Sequence, residues 1–471
     1  MVNQLQVYSV PKEAVKQEDF NLRIRPVGSE QWQQIEAYQV KVDMHDVREA
    51  SMIYFDLSGK VELEITFPKF YTIYDVQIRP HHLTFEKKIE TKKLTITIDK
   101  CANFSVEINK DKFHNLHVFA GAIEVVPQPK EAFLLNNCGN KLNKKLSEAP
   151  EGRLVYFERG IHYIDSFIWE IPSHTTVYLA PGAVLMGGIA VVNAEDVHIY
   201  GRGVIYQGHL DPQYHTNGFS IQSSQNIKIE GVTFINPLHY TISFGKSKNV
   251  YVQNVKTFSC HGWSDGFDMM SSEDITIENC FLRTSDDCIA IYGSRWENNG
   301  DSRNITIKDT ILWADVAHPI NIGTHGGHER DGDNIENVKF ENIDILEHHE
   351  FQENYLGAIS LNAGDKNIIR GVIFEKIRID AFEHGRVFDI QVKWNKDYNP
   401  APGRMIEDVM LRDIFITSGT GEEISIVKGY DELHLVKDIR FENIYRDGHK
   451  TSTFEEANIF VGEHTENITL N

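Results

Sequence analysis

The 471-residue chain is poor in cysteine and proline and has an excess of acidic over basic residues, and each imbalance excludes a class of protein. Five cysteines are too few for a disulfide-stapled fold of this length. With 14 Pro and 33 Gly beside 41% hydrophobic residues, collagen-like and disordered classes are excluded. The 47 basic and 68 acidic residues give a net charge of −21, which disfavours binding to nucleic acid or to an anionic membrane.

Long apolar runs are also missing, since no stretch approaches the about 18 residues that a transmembrane helix requires. Residues 1–12 lack the basic, apolar and small-residue regions of a secretory signal. The sparse cysteines suit a reducing compartment. The sequence therefore predicts a cytoplasmic protein without nucleic-acid or membrane partners, although a secreted protein trimmed of its signal would show the same pattern.

Short runs of alternating apolar and polar residues between Leu22 and Glu124 predict an N-terminal antiparallel β-sandwich. Turn-forming Gly, Pro, Asp and Lys separate these runs. The alternation then stops and the chain becomes polar and rich in lysine, which predicts a linker with some helix. The predicted domains are the sandwich at 1–126, the linker at 127–150 and a second domain at 151–471.

The second domain contains a repeated four-residue unit: an apolar residue, any residue, then Asn, Asp, Gly or Lys, then Val, Ile, Cys or Thr. The eight copies are 229–232, 252–255, 277–280, 307–310, 340–343, 374–377, 411–414 and 441–444. A unit that recurs without helical periodicity between its copies predicts an all-β chain with the stacked coils of a right-handed parallel β-helix. The polar third residue suits a bend in the left-handed conformation. An ordinary β-sandwich is the alternative, but it does not explain eight copies of one bend.

Acidic residues are concentrated at two points of the predicted helix. Asp265 and Asp268 form one cluster, and Asp286 and Asp287 form another about one short coil later. Equivalent positions on successive coils stack about 4.8 Å apart, so we expect these carboxylates in one patch. Like charges at this spacing raise the pKa of one carboxyl and leave the others ionised, which places an acid beside a base.

Such a patch fits hydrolysis of a glycosidic bond with inversion, in which one carboxyl protonates the leaving oxygen while carboxylates activate water. Asp286 is the candidate acid, and Asp265 and Asp287 are the candidate bases. Asp268 is a candidate for binding substrate beside them. One coil further, His318 is expected to hydrogen-bond Asp286 or to orient the sugar. An Asp-Asp pair alone is equally typical of a solvated turn or a calcium site.

These motifs resemble a known family in order and spacing. Asp265-Gly266-Phe267-Asp268, Asp286-Asp287-Cys288 and His318 with Ile322-Gly323-Thr324 resemble the polygalacturonases of glycoside hydrolase family 28. The run 278–287 also resembles the dextranases and isopullulanases of family 49, which share the β-helix and the inverting mechanism and carry an N-terminal β-sandwich. The resemblance covers roughly residues 150–450. It implies Asp286 as general acid and Asp265 with Asp287 as the water-activating pair. We predict a carbohydrate substrate, with neither cofactor nor metal.

The chain departs from the family 28 pattern around these motifs. His318 stands in Ala-His-Pro rather than Gly-His-Gly, and Trp263-Ser264 replaces the usual Asn-Thr. The Arg-Ile-Lys that grips a galacturonate carboxylate in the family falls at 357–361, which contains no cation. A uronate requires a positive partner in a site rich in Asp. A neutral sugar is therefore favoured over a uronate.

Three cations from other coils are the candidates to replace the missing pair: Arg283, Arg295 and Lys393. Trp263 and Tyr292 are close in sequence to the acids and are predicted to stack on sugar rings. Segments 292–303 and 324–333 are predicted to wall the cleft, which favours exo action.

Two other functional classes stay open at this point. A polysaccharide lyase would use clustered acids to bind calcium and an Arg or Lys to promote β-elimination, but no such cation is in register. A carbohydrate-binding β-helix without catalysis would explain the fold and not the acids.

Overall fold

The computed structural model describes residues 3–67, 72–128, 132–136, 142–149, 152, 154–353 and 355–471. The all-β prediction is confirmed. Helix in the described residues is limited to α1 (Leu142–Leu146) and a 3-10 turn at Pro212–Tyr214. Within these ranges no helix has the length and apolarity needed to cross a membrane.

The N-terminal unit consists of two sheets, which the predicted sandwich required. Its strands are β1 (Gln4–Val7), β2 (Lys16–Gln17), β3 (Asn21–Pro26), β4 (Gln33–Gln34), β5 (Ala37–Val42), β6 (Arg48–Ser58), β7 (Val61–Thr66), β8 (Val76–Arg79), β9 (Glu86–Glu90), β10 (Lys93–Ile98), β11 (Ala102–Ile108) and β12 (Leu116–Ala122). One sheet has the order β2-β5-β6-β12-β11-β8, with β1 beside β6, and the other has the order β4-β3-β7-β10-β9.

The pairings between these strands are antiparallel among the described residues, except that β12 runs parallel to β6. Alternation of apolar and polar residues is the same in both orientations, so the sequence could not show this exception. The alternation does place the core. Leu63 on β7 and Ile96 on β10 are fully buried and pack against Ile53, Phe55 and Phe104 of the facing sheet.

A single ladder of 31 strands follows the sandwich. These strands are β13 (Phe133–Leu135), β14 (Leu154–Phe157), β15 (Gly160–Glu170), β16 (Thr176–Leu179), β17 (Ala183–Val192), β18 (Glu195–Gly201), β19 (Val204–Tyr206), β20 (Phe219–Gln222), β21 (Gln225–Glu230), β22 (Thr233–Ile235), β23 (Ile242–Gly245), β24 (Lys248–Gln253), β25 (Lys256–Phe258), β26 (Phe267–Met270), β27 (Glu273–Glu278), β28 (Phe281–Thr284), β29 (Ile289–Tyr292), β30 (Ser302–Lys308), β31 (Ile311–Ala314), β32 (Ile320–Gly323), β33 (Asn334–Glu347), β34 (Gly357–Ala363), β35 (Ile368–Ile379), β36 (Gly385–Val392), β37 (Met405–Ile416), β38 (Glu422–Glu423), β39 (Ser425–Lys428), β40 (Val436–Arg446), β41 (His449–Lys450), β42 (Ile459–Val461) and β43 (Thr465–Leu470).

Strands of this ladder pair in parallel with their equivalents one coil away, except β41, which pairs antiparallel with β40. This is the right-handed parallel β-helix that the repeat predicts. In β21, β24, β27 and β30 the register stacks Ile227, Val250, Ile275 and Ile305. All four are at most 2% exposed. Burying each such side chain contributes about 1.5–3 kcal/mol, so the inward stacks hold the coils together.

The repeated bend has the predicted left-handed backbone in every copy. The third residue has a φ of 52–57° in seven copies and 78° at Gly231. Side chains at successive bends also bond to one another: the Asn443 amide donates to Asp413 at 2.9 Å, and Asn342 donates to Asp309 at 2.5 Å. Asn and Asp recur there because they tolerate this conformation and supply the ladder of hydrogen bonds.

The predicted linker 127–150 is only partly described. It contains α1 and β13, and β13 already pairs in parallel with β14 of the β-helix. Cys138 and the residues 129–131, 137–141 and 150 lie outside the described residues. The two boundaries between the three predicted segments stay predictions.

The sandwich packs along one face of the β-helix. Met52 and Phe119 of the sandwich share a buried apolar cluster with Phe258, Phe281 and Trp313 of successive coils. The contact is therefore an extension of the core and not a loose hinge, and it lies beside the coils that carry the acidic clusters.

Candidate active site

The acidic residues occupy equivalent turns of three adjacent coils. Asp265 lies two residues before the start of β26. Asp286 and Asp287 precede β29, and His318 precedes β32. These three strands pair in parallel. One carboxylate oxygen each from Asp265, Asp286 and Asp287 can be chosen so that all three lie within 4.8 Å of one another. The stacking of the coils thus brings together the residues that the sequence nominates.

Asp286 lies at the surface of this cluster and has the properties of a proton donor near neutral pH. Its Oδ2 accepts the Trp263 backbone N–H at 2.8 Å, and its Oδ1 accepts the Asp287 N–H at 3.0 Å. Burial, followed by the charge of Asp287, raises the pKa of Asp286 from 3.8 to about 7 against the effect of these two donors. The carboxyl therefore keeps its proton while its neighbour ionises.

Asp287 is held as a carboxylate by a dense set of donors. Its Oδ1 accepts the backbone N–H of His318 at 3.1 Å and the His318 ring Nδ1 at 2.6 Å, and its Oδ2 accepts the Asn321 amide at 2.8 Å. Burial pushes the pKa of Asp287 upward, but the charge and hydrogen bonds of His318 and the Asn321 amide bring it below its usual value.

His318 is fully buried and doubly hydrogen-bonded. Its Nε2 faces the carbonyl oxygen of Tyr355 at 2.8 Å, so this nitrogen must carry a proton, and its Nδ1 faces the Asp287 carboxylate. Although burial lowers it, the pKa of His318 rises to about 9 through Asp287. The prediction that His318 bonds Asp286 or contacts the sugar is wrong, because the imidazolium is enclosed behind Asp287.

Asp265 and Asp268 form a second buried pair of carboxyls. Burial, then the charges of Asp268 and Asp286, raises the pKa of Asp265 well above its usual value. Burial likewise raises the pKa of Asp268, with Arg295 opposing it. Apart from the Asp265 carboxyl, whose hydrogen bond also opposes this rise, no described residue donates to either Asp268 oxygen. Predicting Asp268 as a substrate ligand is wrong: as the second residue of β26 it is fully buried beneath the cleft.

A cleft of about 570 Å³ opens over the cluster and exposes Asp265, Asp286 and Asp287 to it. The predicted wall segments contribute Arg295 and His325 to its lining. Other lining residues come from the sandwich (Met44, His45) and from two further loops (Glu350, Phe351 and Tyr355 in one, Tyr398 in the other). The cleft is thus built by both units of the chain.

Both predicted aromatic ligands line this cleft, in different settings. The Trp263 side chain is 61% exposed and sits next to the acid, whereas Tyr292 is 2% exposed. The Tyr292 ring packs against His325, with centroids 5.1 Å apart, and under the Arg295 guanidinium at 4.8 Å. Trp263 can therefore lie along a sugar ring, while Tyr292 supports the cleft floor.

Residues 188–463, more than half of the chain, match the family model "Glycosyl hydrolases family 28". The chain belongs to glycosyl hydrolase family 28. The resemblance stated from the motifs is thereby confirmed.

Individual relatives match over shorter stretches. A probable exopolygalacturonase B of Aspergillus fumigatus is 27% identical over 177 residues, 32% of this chain and 36% of its own length. A polygalacturonase of Chamaecyparis obtusa is 33% identical over 220 residues, 44% of this chain and 38% of its own length. The chain thus spans little more than a third of these curated relatives.

Solved structures extend the likeness in fold to the whole chain. Dex49A from Penicillium minioluteum superposes with a TM-score of 0.68 over 98% of this chain and 96% of its own, at 13% identity. The family 28 exopolygalacturonase of Yersinia enterocolitica gives 0.54 over 92% and 98%, at 12% identity. At these identities the likeness is one of fold, and it includes the N-terminal unit.

Of the three cations nominated to replace the family 28 pair, two lie outside the cleft. Arg283 is fully buried and forms a two-pronged ion pair with Asp315, with both N–O distances at 2.9 Å. Its third nitrogen bonds Asn115 of the sandwich at 3.2 Å. Arg283 thus joins the two units, and its prediction as a sugar ligand is wrong. Lys393 pairs with Asp389 at 3.0 Å.

Arg295 does line the cleft. Its guanidinium lies over the rings of Tyr292 and Trp296 at 4.8 Å, and no carboxylate of the described residues comes within ion-pair distance of it. Burial lowers the pKa of Arg295, but Tyr292, Tyr240, Asp268 and Asp265 together raise it above its usual value. Arg295 is therefore a cation of the cleft wall that is held against aromatic rings.

Sequence reasoning missed the loop that closes the cleft behind His318. Glu350 lies there nearly buried; burial raises its pKa, and its Oε1 accepts the N–H groups of Phe351 at 2.7 Å and Gln352 at 2.8 Å. The Tyr355 hydroxyl bonds the Asn321 amide at 2.6 Å. An acidic and aromatic stretch directly after β33 was the available signal, because it falls one coil after His318.

Proposed function

We propose that this family 28 chain hydrolyses an α-glycosidic bond of a poly- or oligosaccharide, with Asp286 as general acid and Asp287, assisted by Asp265, as general base. The observation that carries the proposal is the pairing of opposite protonation states in one cleft. Asp286 retains a proton while Asp287, ion-paired to His318, stays ionised, and their carboxylate oxygens lie within 4.8 Å.

The proposed reaction uses these two states directly. Asp286 gives its proton to the glycosidic oxygen as the bond to the anomeric carbon breaks. A water held between Asp287 and Asp265 attacks that carbon and passes its proton to Asp287. Both residues recover their starting states when Asp287 releases this proton to solvent and Asp286 takes one up.

We propose inversion at the anomeric carbon, as the motifs imply. One oxygen from each carboxyl lies within 4.8 Å of the others, closer than the about 6.5–9.5 Å between the carboxyl groups of most inverting pairs. Inversion is favoured by the second carboxyl group, Asp265, beside the Asp287 carboxylate, since together they can hold a water rather than form a covalent bond. Proton NMR of the product formed first decides it: the inverted anomer supports the proposal, and the retained anomer refutes it.

A neutral sugar is proposed for the position next to Asp286. Ser360 on β34 pairs with Asn321 on β32, one coil after His318. This is the position at which the family 28 pattern has its Arg and Lys. The cleft there is lined by Asp265, Asp286, Asp287 and Glu350, which supply no positive partner for a uronate.

Polygalacturonase activity is the second candidate, and Arg295 is the observation that favours it. Its guanidinium lines the cleft without an ion-pair partner among the described residues, and guanidinium is the group best suited to a carboxylate. The names of the sequence relatives point the same way.

The test is product analysis by mass spectrometry after incubation with dextran, pullulan, α-galactosides and galacturonan, each with unaltered chain and Asp286→Asn. Cleavage of a neutral glycan that is lost in Asp286→Asn supports the proposal, and cleavage of galacturonan alone supports the second candidate. EDTA-sensitive cleavage with products that absorb in the ultraviolet would identify a lyase. Binding without cleavage would identify a carbohydrate-binding protein.

A further inference from the structure

Exposed aromatic rings continue from the cleft along the β-helix. Trp263 is 61% exposed, Trp296 56%, Tyr214 47% and Phe167 39%. The His215 ring lies 5.8 Å from Trp263, and the Phe167 and Tyr214 rings stack 4.8 Å apart. We call Phe167, Tyr214, His215 and Trp263 the aromatic track.

Part of the track has a left-handed backbone, which aromatic residues rarely adopt. Phe167, Trp263 and Trp296 have φ values of 66°, 58° and 54°, and no other Phe, Tyr or Trp of the described residues has a positive φ. His215 on the track has a φ of 44°. Bulky side chains rarely adopt this conformation, and it persists mainly where surrounding structure imposes it at functional sites.

Packing does not account for this arrangement, because the rings are exposed. Phe167 lies in an irregular part of β15, where the pairing with β17 shifts register between Tyr163 and Ile168. Such bulges re-aim side chains out of a ladder. The bulge therefore exposes Phe167 to solvent, whereas the alternation of a regular strand would point its side chain into the interior of the β-helix.

The track runs along the helix axis from the candidate acid. The Trp263 backbone N–H bonds Asp286, so one end of the track is attached to the catalytic turn. Four parallel pairings, β15 to β17, β20, β23 and β26, separate the coil of Phe167 from the coil that begins after Trp263. At about 4.8 Å per pairing the track spans about 19 Å, which exceeds the length of one sugar ring several times.

We propose that the aromatic track binds further sugar residues of the glycan whose bond is cleaved at Asp286, so that the substrate is a chain long enough to reach Phe167. The proposal rests on the proposed function for its link to the cleft. Aromatic faces supply large contact areas for the apolar faces of sugar rings at little loss of side-chain entropy. Continuity with the cleft through Trp263 is what selects a glycan as occupant.

The test uses the full-length Asp286→Asn chain in native gels that contain dextran, pullulan or galacturonan, where retardation reports binding without hydrolysis. Adding Phe167→Ala and Tyr214→Ala together should weaken the apparent affinity about tenfold for the polymer that retards the parent. Phe415→Ala is the matched control: Phe415 is 42% exposed and stacks on Tyr445 at 5.0 Å, with an ordinary φ, at the other end of the helix. It should migrate like the parent.

A second pair of variants separates binding from packing. Phe167→Tyr keeps the ring and should keep the retardation. Phe167→Gly removes both the ring and the strained φ, so it should weaken binding without lowering the Tm. A clear fall in Tm with unchanged retardation would show that Phe167 is a packing residue and would overturn the proposal.

Hydrolysis by the unaltered chain is followed in parallel by release of reducing ends. Retardation that depends on Phe167 and Tyr214, without hydrolysis of any polymer, would refute the proposed function and leave the track as a glycan-binding site. Hydrolysis of a polymer by a chain whose retardation does not depend on these rings, or that no polymer retards, would refute the track alone.

Discussion

The proton on Asp286 predicts the alkaline limit of activity. A rise of its pKa from 3.8 to about 7 increases its proton affinity about a thousandfold. Because the acid must be protonated to act, kcat should be constant up to about pH 6 and fall tenfold per unit above about pH 7. At pH 8 about a tenth of the activity should remain. On the acid side, kcat should fall only below pH 4, where Asp287 becomes protonated, because the pKa of Asp287 is below its usual value.

The assay is the initial rate of reducing-end release between pH 3 and pH 10 at constant ionic strength. Asp286→Asn should lower the rate on an unactivated glycan about 10²–10⁴-fold. The same variant should retain turnover of a glycosyl fluoride, whose leaving group needs no proton, and this turnover should not fall above pH 7.

Glu350→Gln is the matched control for this prediction, because Glu350 is the other cleft carboxyl near His318 whose pKa burial raises. Its alkaline limb should stay near pH 7. The reasoning is refuted if the limb is absent from the wild type, persists in Asp286→Asn or disappears in Glu350→Gln.

Three further predictions concern the cations around the site. His318→Gln should lower kcat and leave KM nearly unchanged, because the ring is enclosed behind Asp287; a matching rise in KM would contradict this. Because the pKa of His318 is raised to about 9 in the folded state, its protonation stabilises the fold fully below pH 6.5, and this stabilisation is lost as pH rises through 9. Denaturant titration at pH 6 and pH 10 should therefore differ by about 3 kcal/mol in the free energy of unfolding. The variant should lose this pH dependence. Arg283→Met should leave Asp315 buried without its partner and destabilise the chain by about 3–5 kcal/mol, whereas Arg303→Met, at an exposed pair with Glu273, should change stability by less than about 1 kcal/mol. Arg295→Gln should leave the ratio of kcat/KM for galacturonan to that for a neutral glycan unchanged; a selective loss on galacturonan would establish the polygalacturonase alternative.

The repeat made the fold predictable because one local requirement recurs in every coil. A left-handed bend accepts Asn, Asp or Gly, so the residues that mark the bends, such as Asn254 and Asp413, report the backbone directly. Stacking of coils then converts sequence spacing into proximity, which is why the spacing of Asp265, Asp286 and Asp287 along the chain is enough to group them.

Residues whose position depends on the docking of two units could not be predicted in this way. Arg283 follows β-helix periodicity, but its destination is set by Asn115, 168 residues earlier in the sandwich. Met44 reaches the cleft for the same reason, through its backbone N–H bond to Ser285 at 3.1 Å. No local pattern encodes a contact between a sandwich loop and a coil so far along the chain.

The direction in which a side chain points was the second property of the site that the sequence could not predict. The sequence places Asp268 and His318 in the right turns, but it does not show that one lies under the cleft floor and the other behind Asp287. Burial decides both roles, and burial depends on loops such as the one around Tyr355, whose lengths vary from coil to coil.

The most direct test of the central claim is turnover of the glycan panel by the unaltered chain and by Asp286→Asn, with binding of each glycan measured in parallel. We expect the unaltered chain to cleave at least one α-linked glycan, and Asp286→Asn to bind the same glycan with similar affinity and cleave it at least about a hundredfold more slowly. Equal turnover by the two chains would contradict the assignment of Asp286 as the acid and, with it, the proposed mechanism.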